Sequence, residues 1–566
     1  MRKFMKTFLA MKNLPLRFFL VACCLLPVLS FSQTPDWIWA TRGGGNVNDF
    51  SNSIAIDPYG NVIVCGLFNS PTMTIGSTTL TNNGLYDMFL AKYDPLGNPI
   101  WALNAGGAGD DYGNAVAVDA FGNIYVTGYF ASNSITFGTN TYLNVSPGSS
   151  DIFIVKFDPS GNFSWANTHG GSDWDVGQSI ATDSLSGSVY LAGYLASASI
   201  TFGSNTLATN GLADAFLSRY DMFSGAPDWA INSGGTVNDL ANGVDTDNSG
   251  NVFITGGFAS ATITFGSNTL TNAGPGFPDI FTAKYDQLGN HIWSLRAGGP
   301  DNDHTVAIDI DRFNNVIVAG HYHSTSFTIG TNTLTNGGMG DPFIFKYTNS
   351  GNIIWARSAG GMTNDFAYTV ITDSAGNAYL AGMYTSMSIT FGSTTLMNAS
   401  TLEDIFLTKY DSAGTEMWAK GGGGNFSDYI NDVAIHKQSD KLFATGDFAS
   451  ATLTLGSTLL TNLDNSGNTS DHFIAKLDVI TGGTEMLRSE SLSIYPNPSN
   501  GGFQVTGDGG QIDLVKIYNS LGEMIFSEHV KSSLLSFDIS NQPDGIYFVE
   551  LSGTDERVFG KIILQR

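Results

Sequence analysis

The sequence predicts an all-β fold, a seven-bladed β-propeller of four-stranded repeats about 63 residues long, followed by a small immunoglobulin-like β-sandwich. The first observation is a tryptophan that recurs every 62 to 64 residues. The second is the phrase that each tryptophan opens, Trp-(Ala/Ser)-x-x-x-Gly-Gly, with an Asp four residues after the second Gly. The third is a lack of helical periodicity in any copy. The seven tryptophans are Trp39, Trp101, Trp165, Trp229, Trp293, Trp355 and Trp418.

Each repeat supplies four strands, as the second copy illustrates. Ala115 to Asp119 and Ile124 to Phe130 are rich in β-branched and aromatic residues and are separated by a Gly-Asn turn. A longer connection containing Ile135-Thr-Phe-Gly138 leads to a third strand, Asp151 to Asp158, and a second Gly-Asn turn leads to the next Trp strand. We number these strands 1 to 4 from the innermost to the outermost, with the Trp strand outermost. A β-solenoid is the alternative, but its coils are much shorter than this repeat.

The ends of the repeat array predict how the ring closes. The seventh copy ends at Asp478 without a following Trp strand, and the missing strand stands at the front, in Trp37 to Ala40. We expect residues 35–480 to form the propeller, with this N-terminal strand completing the last blade. An open ring would leave an unpaired edge strand exposed.

The C-terminal segment, residues 489–566, reads as seven short strands and follows a Gly/Thr linker at 481–488. Its motifs are Ser493-Ile-Tyr-Pro-Asn-Pro498, Val515-Lys-Ile-Tyr-Asn-Ser-Leu-Gly522, Pro543-Asp-Gly-Ile-Tyr547 and Lys561-Ile-Ile-Leu564. These motifs resemble the type A C-terminal sorting domain of type IX secretion cargo. The resemblance implies that the secretion machinery binds residues 489–566 and exports the protein. The repeats are similar to those of bacterial secreted propeller-repeat proteins, a resemblance that implies little about activity.

Composition and the N-terminus agree with export. Residues 1–32 combine a basic start, an apolar run from Phe18 to Leu29 and a small-residue cleavage site, which is typical of a signal peptide. We therefore predict a secreted or outer-surface location, reached through the periplasm, and no transmembrane segment. The net charge of −25 disfavours nucleic acid as a partner. We expect a monomer in which Cys65 is a small buried residue.

A recurrent Asp precedes the innermost strand of every repeat and is the first candidate for a site. Either each carboxylate accepts backbone hydrogen bonds and fixes its loop, or the seven together form a ring that binds a ligand or a hard cation such as Ca²⁺. Identical occurrence in all copies favours the first interpretation. The sequence identifies no cofactor other than this candidate Ca²⁺. The seven residues, which we call the inner-strand aspartates, are Asp49, Asp111, Asp175, Asp239, Asp303, Asp365 and Asp428.

A second recurrent Asp begins strand 3 of each repeat, and we expect it to be structural. These third-strand aspartates are Asp87, Asp151, Asp214, Asp279, Asp341, Asp404 and Asp471.

The fifth repeat departs from the pattern by its histidines. Asp303, His304, His321 and His323 are predicted to lie on one face and are residue types that bind metals. No ligand-spacing motif accompanies them, and surface variation is the competing interpretation.

We favour a secreted or cell-surface binding or adhesion module for a glycan or protein ligand. The alternative is a secreted polysaccharide hydrolase or lyase that uses Asp and His residues of the propeller loops. The sequence contains no nucleophile elbow and no metalloprotease motif. The only glutamates between residues 33 and 478 are Glu403 and Glu416, so a pair of catalytic carboxylates would have to use Asp.

Overall fold

The computed structural model describes residues 35–437, 439–464, 466–478, 492–507, 514–519, 524–529, 534–552 and 557–565. The predicted signal peptide (1–32) and linker (481–488) lie outside the described residues. The described residues fall into two compact units, 35–478 and 492–565. Every regular element in them is a β-strand, which confirms the all-β prediction.

The first unit consists of seven four-stranded antiparallel sheets, six of which are continuous in the chain. The chain begins with β1 (Asp36–Gly43). Sheet 1 and its hairpin comprise β2 (Asp49–Ile56), β3 (Val62–Phe68), β4 (Thr72–Ile75), β5 (Thr78–Thr81), β6 (Asp87–Tyr93) and β7 (Pro99–Ala105). Sheet 2 and its hairpin comprise β8 (Asp111–Val118), β9 (Ile124–Phe130), β10 (Ser134–Phe137), β11 (Asn140–Leu143), β12 (Asp151–Phe157) and β13 (Phe163–His169). Sheet 3 and its hairpin comprise β14 (Asp175–Asp183), β15 (Ser188–Leu195), β16 (Ser199–Phe202), β17 (Asn205–Ala208), β18 (Asp214–Asp221) and β19 (Pro227–Ser233).

The remaining four sheets repeat this order. Sheet 4 and its hairpin comprise β20 (Asp239–Thr246), β21 (Val252–Phe258), β22 (Thr262–Phe265), β23 (Asn268–Thr271), β24 (Asp279–Tyr285) and β25 (His291–Ala297). Sheet 5 and its hairpin comprise β26 (Asp303–Ile310), β27 (Val316–Tyr322), β28 (Ser326–Ile329), β29 (Asn332–Thr335), β30 (Asp341–Tyr347) and β31 (Ile353–Ser358). Sheet 6 and its hairpin comprise β32 (Asp365–Thr372), β33 (Ala378–Tyr384), β34 (Ser388–Phe391), β35 (Thr394–Met397), β36 (Asp404–Tyr410) and β37 (Glu416–Gly422). Sheet 7 and its hairpin comprise β38 (Asp428–His436), β39 (Lys441–Phe448), β40 (Thr452–Leu455), β41 (Thr458–Thr461) and β42 (Asp471–Asp478), completed by β1.

The sheets form a closed ring. Each innermost strand contacts the innermost strand of the next sheet, and β38 of sheet 7 contacts β2 of sheet 1. β1 pairs antiparallel with β42, with Ala40 opposite Ala475. The two ends of the unit therefore share one sheet, which leaves neither β1 nor β42 as an isolated strand.

The recurrent tryptophan packs one sheet against the next. The Trp355 indole lies over the turn between β36 and β37, where it donates a hydrogen bond from Nε1 to Ser412 O at 3.1 Å. A methyl group added at Gly414 would lie 2.5 Å from Trp355 Cδ2, and Gly414 has a φ of +80°. Glycine is required there both for the close approach and for the left-handed backbone. The same contact recurs at Gly161 with Trp101 and at Gly225 with Trp165.

Short hairpins in the strand 2 to strand 3 connections are the main feature that the sequence did not predict. The Ile135-Thr-Phe-Gly138 motif, expected to be part of an irregular connection, forms β10, which pairs with β11 around a turn at Gly138. Ile135 and Phe137 are buried and join the core of sheet 2. Runs of four residues are too short for alternation alone to identify them as strands.

The second unit contains all seven strands predicted for the C-terminal segment. They are β43 (Leu492–Tyr495), β44 (Gly502–Gly507), β45 (Leu514–Asn519), β46 (Met524–His529), β47 (Leu534–Asp538), β48 (Gly545–Ser552) and β49 (Arg557–Leu564). They form a three-stranded sheet, β43-β44-β47, and a four-stranded sheet, β46-β45-β48-β49. Phe503 and Val505 from the first sheet share one core with Val515 and Ile517 from the second, as in a β-sandwich.

Cys65 is fully buried, as predicted. Burial, followed by the charge of Asp432, raises the pKa of its thiol. The described residues contain no helix long and apolar enough to cross a membrane.

Candidate functional site

The connections divide the ring into two faces. The turns between strands 1 and 2 and between strands 3 and 4 lie on one face, which we call the turn face. The inter-sheet loops and the strand 2 to strand 3 connections lie on the other, which we call the loop face. This division matches the strand order predicted from the sequence.

The inner-strand aspartates lie at the start of the innermost strands but do not present their carboxylates to solvent. Asp111 is fully buried, and its Oδ2 accepts hydrogen bonds from Gly107 N at 2.7 Å and Ser132 Oγ at 2.6 Å. Its Oδ1 accepts one from Ser132 N at 3.2 Å. A serine hydroxyl bonds the Asp in the same way in all seven sheets. These serines are Ser70, Ser132, Ser197, Ser260, Ser324, Ser386 and Ser450.

This arrangement supports a loop-fixing role for each inner-strand Asp. The carboxylate ties the Gly-Gly loop to the end of strand 2, and its hydrogen bonds replace those it would make with water. The serine partner recurs after strand 2 in every copy, so the sequence carries a signal for this contact that the aspartates alone do not reveal.

Each inner-strand Asp is paired with a third-strand Asp of the preceding sheet. A methyl group built at Gly106 would lie 2.3 Å from Asp87 Oδ1 and 3.0 Å from Asp111 Oδ2, so the two carboxylates flank one glycine. Burial first, and the charge of Asp87 among the smaller causes, raise the pKa of Asp111 to about 6. Burial is likewise the largest cause that raises the pKa of Asp428 to about 7.

The buried Oδ1 atoms of six third-strand aspartates have no hydrogen-bond partner among the described residues. They belong to Asp87, Asp151, Asp214, Asp279, Asp341 and Asp404. A buried carboxylate oxygen without a partner favours the protonated state of the group. We therefore expect proton binding by these carboxylates to be linked to folding stability.

The structure brings the three histidines of sheet 5 together. The ring centres of His304 and His321 are 5.4 Å apart, and those of His321 and His323 are 5.9 Å apart. His321 stacks on Phe366 at 4.0 Å, and burial is the largest cause that lowers its pKa to about 3. Asp303 is buried and bonded to Gly299 and Ser324.

The three histidine side chains pack against one another and against Phe366 as aromatic rings. In the part of the chain that the structure describes, no group of three or more His, Cys, Asp or Glu side chains could hold a metal ion. The predicted metal ligands Asp303, His304, His321 and His323 thus lie near one another without forming such a group.

A central channel of about 400 Å³ runs between the innermost strands. Amide side chains in it bridge neighbouring sheets, as Asn52 Nδ2 donates to Gly113 O at 3.1 Å and Asn242 Nδ2 donates to Thr305 O at 2.7 Å. Asp432 Oδ2 accepts from Ser53 Oγ at 2.9 Å. These polar groups form hydrogen bonds between neighbouring sheets and so help to hold the ring together.

The loop face of sheets 1 to 3 carries a continuous row of aromatic side chains, which we call the aromatic arc. The arc consists of Phe50, Tyr86, Tyr112, Tyr129 and Trp174. Successive ring centres are separated by 6.3, 5.7, 4.8 and 6.0 Å. Four of the rings are half-buried, and Trp174 is 43% exposed.

Sequence reasoning missed the arc because its members come from three repeats and from non-equivalent positions. Phe50 and Tyr112 follow inner-strand aspartates, whereas Tyr86 precedes a third-strand Asp and Trp174 lies in an inter-sheet loop. The equivalent positions in sheets 3 and 4 hold Val176 and Leu240. The available signal was the aromatic residue after the inner-strand Asp, which also occurs in sheets 6 and 7 as Phe366 and Tyr429.

Comparisons with known proteins agree with this architecture. Residues 493–565 match the family model of the secretion system C-terminal sorting domain, and residues 100–129 match that of a β-propeller repeat. An uncharacterized WD repeat-containing protein of Acanthamoeba polyphaga mimivirus is 24% identical over 506 residues, 73% of this chain and 36% of that protein. An ulvan lyase of Nonlabens ulvanivorans is 26% identical over 98 residues, 17% of this chain and 18% of the lyase. The chain thus spans well under half the length of these curated relatives.

Among solved structures, the β-propeller domain of the Trilobed protease from Pyrococcus furiosus is similar with a TM-score of 0.36 and 9% identity. The likeness covers 75% of this chain and 98% of that one and is too weak to bear on function. The protein is a secreted β-propeller protein with a C-terminal sorting domain. That domain directs export through type IX secretion to the cell surface or the extracellular space.

Proposed function

We propose that the protein is an exported binding module that engages an extracellular ligand with the loop face of its propeller. The observation that carries this proposal is an exposed apolar side chain in the strand 2 to strand 3 connection of every sheet. Each of these side chains is between 40% and 66% exposed. They are Leu85, Val145, Leu212, Phe277, Met339, Leu402 and Leu463, and we call them the apolar crown.

A single exposed apolar residue needs no explanation, but one in every sheet of a ring does. Exposed apolar side chains also occur in the turns of the turn face in sheets 1 to 5, so the distinguishing property of the loop face is that one recurs in the strand 2 to strand 3 connection of all seven sheets. Recurrent exposed apolar groups of this kind mark interaction surfaces. Five members of the crown lie two residues before a third-strand Asp, whereas Val145 and Leu463 lie six and eight residues before theirs. Export places this face in contact with extracellular material.

The arrangement of polar groups supports binding over catalysis. The inner-strand aspartates, which the hydrolase or lyase alternative requires as acids or bases, are buried and bonded to serine and glycine. A general acid or base must come within hydrogen-bond reach of its substrate. The ulvan lyase relative adds little to the alternative because the match covers 17% of this chain.

The test measures binding of the full chain to a glycan array and to a panel of purified extracellular matrix proteins. Leu212→Asp and Phe277→Asp on the loop face should abolish binding, because a charge in an apolar contact is strongly disfavoured. Leu185→Asp and Phe223→Asp, at exposed positions of the turn face, should leave it unchanged.

Equal loss in both pairs of variants would contradict a loop-face site. Release of reducing ends or unsaturated sugars from any bound polysaccharide would favour the lyase or hydrolase alternative.

A further inference from the structure

We infer that the aromatic arc is a binding site for an extended, neutral saccharide chain. The inference deepens the proposed function, on which it rests, by assigning a ligand class and a defined part of the loop face. It is carried by the geometry of the five rings and by the charges that surround them.

The arc has the dimensions of a site for a repeating ligand. Five rings follow one another across sheets 1, 2 and 3, each within 6.3 Å of the next. Pyranose rings expose flat patches of C–H groups that pack on aromatic faces, while Tyr and Trp also supply polar groups at the ring edge. Two of the contacts are edge to face, at 74° for Tyr86–Tyr112 and 63° for Tyr129–Trp174, so the row offers ring edges as well as faces, and Trp174 is its most exposed member. A row of rings that extends across three sheets fits a chain of sugars better than it fits a compact small molecule.

The arc is built from pre-positioned side chains. Tyr112 and Tyr129 stand opposite each other on the paired strands β8 and β9. The main chain at Tyr86 is fixed because its carbonyl accepts a hydrogen bond from Asp111 N at 2.8 Å, and the Tyr86 ring packs against the Tyr112 ring at 5.7 Å. Rings that pack against one another in this way lose little conformational entropy when a ligand binds.

Charge selects against anionic polymers. Asp110 lies between sheets 1 and 2, beside the arc, and its charge is second only to burial among the causes that raise the pKa of Tyr112. Asp173 is exposed and precedes Trp174. The chain as a whole carries a net charge of −25. Carboxylates accept hydrogen bonds from sugar hydroxyls and repel carboxylated or sulfated saccharides.

The experiment is affinity electrophoresis and calorimetry of the full chain with neutral polysaccharides (laminarin, hydroxyethyl cellulose and arabinoxylan) and anionic ones (alginate and a sulfated galactan). We expect binding to at least one neutral polymer. Trp174→Ala should weaken that binding about tenfold, the loss expected for one exposed stacking ring, and Trp174→Phe should restore most of it. Tyr59→Ala, which removes a 74% exposed ring from the turn face, is the matched control and should have no effect.

Three results would overturn the inference: no binding to any neutral polymer, binding to anionic polymers alone, or binding that Trp174→Ala and Tyr86→Ala both leave unchanged. The melting temperature of each variant is measured as a control for folding. Failure here remains distinct from failure of the proposed function. Loss of matrix-protein binding in Phe277→Asp, in sheet 4 and outside the arc, would still support a loop-face binding module.

Discussion

At the scale of single residues, buried Lys–Asp pairs explain the recurrent lysine of strand 3. Lys92 Nζ lies 2.9 Å from Asp57 Oδ2, and Lys346 Nζ lies 2.8 Å from Asp311 Oδ2, with both partners buried in each pair. The same lysines also donate to turns of the next sheet, as Lys346 does to Gly376 O at 3.3 Å. Lys92 and Lys346 therefore each join the turn of their own sheet to the neighbouring sheet.

Lys346→Met should lower the free energy of unfolding by about 3–5 kcal/mol, because it leaves the Asp311 carboxylate buried without its counter-charge. Urea denaturation of the full chain measures the change. Asp228→Asn is the matched control, since it breaks the more exposed Arg219–Asp228 pair and should cost only about 0–1 kcal/mol. Equal effects of the two changes would contradict a role for burial.

The paired aspartates predict an unusual dependence of stability on pH. The pKa values of all fourteen inner-strand and third-strand aspartates are raised above 3.8, to about 6 for Asp111 and Asp151 and about 7 for Asp428. A raised folded-state pKa means that the folded protein binds more protons than the unfolded chain. The resulting stability is complete below about pH 4 and is lost as pH rises through 6 to 7.

Buried histidines act in the opposite direction over part of this range. Burial is the largest cause that lowers the pKa of His321 and His472 to about 3 and that of His169 to about 4. These groups remove stability as pH falls below about 6.5. The aspartates outnumber them, so the melting temperature should be higher at pH 5 than at pH 8.

Asp428→Asn isolates one carboxyl group and should reduce the difference in melting temperature between pH 5 and pH 8. Asp286→Asn is the control. Burial is the largest single effect on Asp286, but hydrogen bonds from Asn290 and Leu288 together lower its pKa, which places its titration outside this window. A wild-type protein that is more stable at pH 8 would contradict the proposed proton linkage.

At the scale of the elements, the Trp side chain of strand 4 covers the strand 3 to strand 4 turn of the next sheet. This explains why Trp and the turn glycine recur at matching intervals, although they come from neighbouring repeats. Gly414, under Trp355, combines a φ of +80° with a contact that leaves no room for a methyl group.

A left-handed backbone alone should cost Ala about 1–2 kcal/mol. Gly414→Ala should destabilise the protein by more than this amount, because the added methyl group also meets Trp355. Gly276→Ala supplies that reference, since Gly276 has a φ of +100° and nothing within 4 Å of an added methyl group. Thermal and urea denaturation of both variants give the comparison. Equal losses would mean that the Trp355 contact adds nothing.

The elements also show how far the sequence could be interpreted. Most strands of the sheets were predictable because runs rich in β-branched and aromatic residues stand beside recurrent Gly-Asn turns. The seven strands of the C-terminal unit were predictable from similar apolar runs separated by Gly, Asn, Asp and Pro. The hairpins such as β10–β11 were not, because four residues carry too little periodicity. The aromatic arc was not predictable for a different reason, since only folding brings Tyr86 and Trp174 from separate repeats to either side of Tyr112 and Tyr129.

At the scale of the whole molecule, the ring depends on β1. This strand pairs with β42 along its length, and Arg42 Nη1 lies 3.1 Å from Asp471 Oδ2 across the two strands. Lys420 on sheet 6 also donates to Pro35 O at 2.9 Å, which ties the start of β1 to the neighbouring sheet. The edge of β42 is therefore covered by a segment from the opposite end of the unit.

Deletion of residues 35–45 should sharply lower the melting temperature of the propeller, because it exposes the β42 edge and removes Trp37 from the core of sheet 7. A synthetic peptide of residues 35–45, added in excess, should restore part of the loss by mass action, whereas a scrambled peptide should not. An unchanged melting temperature in the deletion would show that β1 is dispensable.

The position of β1 has a consequence for how the protein is made. Its partner β42 lies more than four hundred residues downstream, so a nascent or truncated polypeptide has no strand with which to pair it. Only a chain synthesised through Asp478 can finish the seventh sheet, and the residues that match the sorting domain, 493–565, come later in the sequence. Any chain from this start that has acquired its export signal therefore already contains both strands that close the ring.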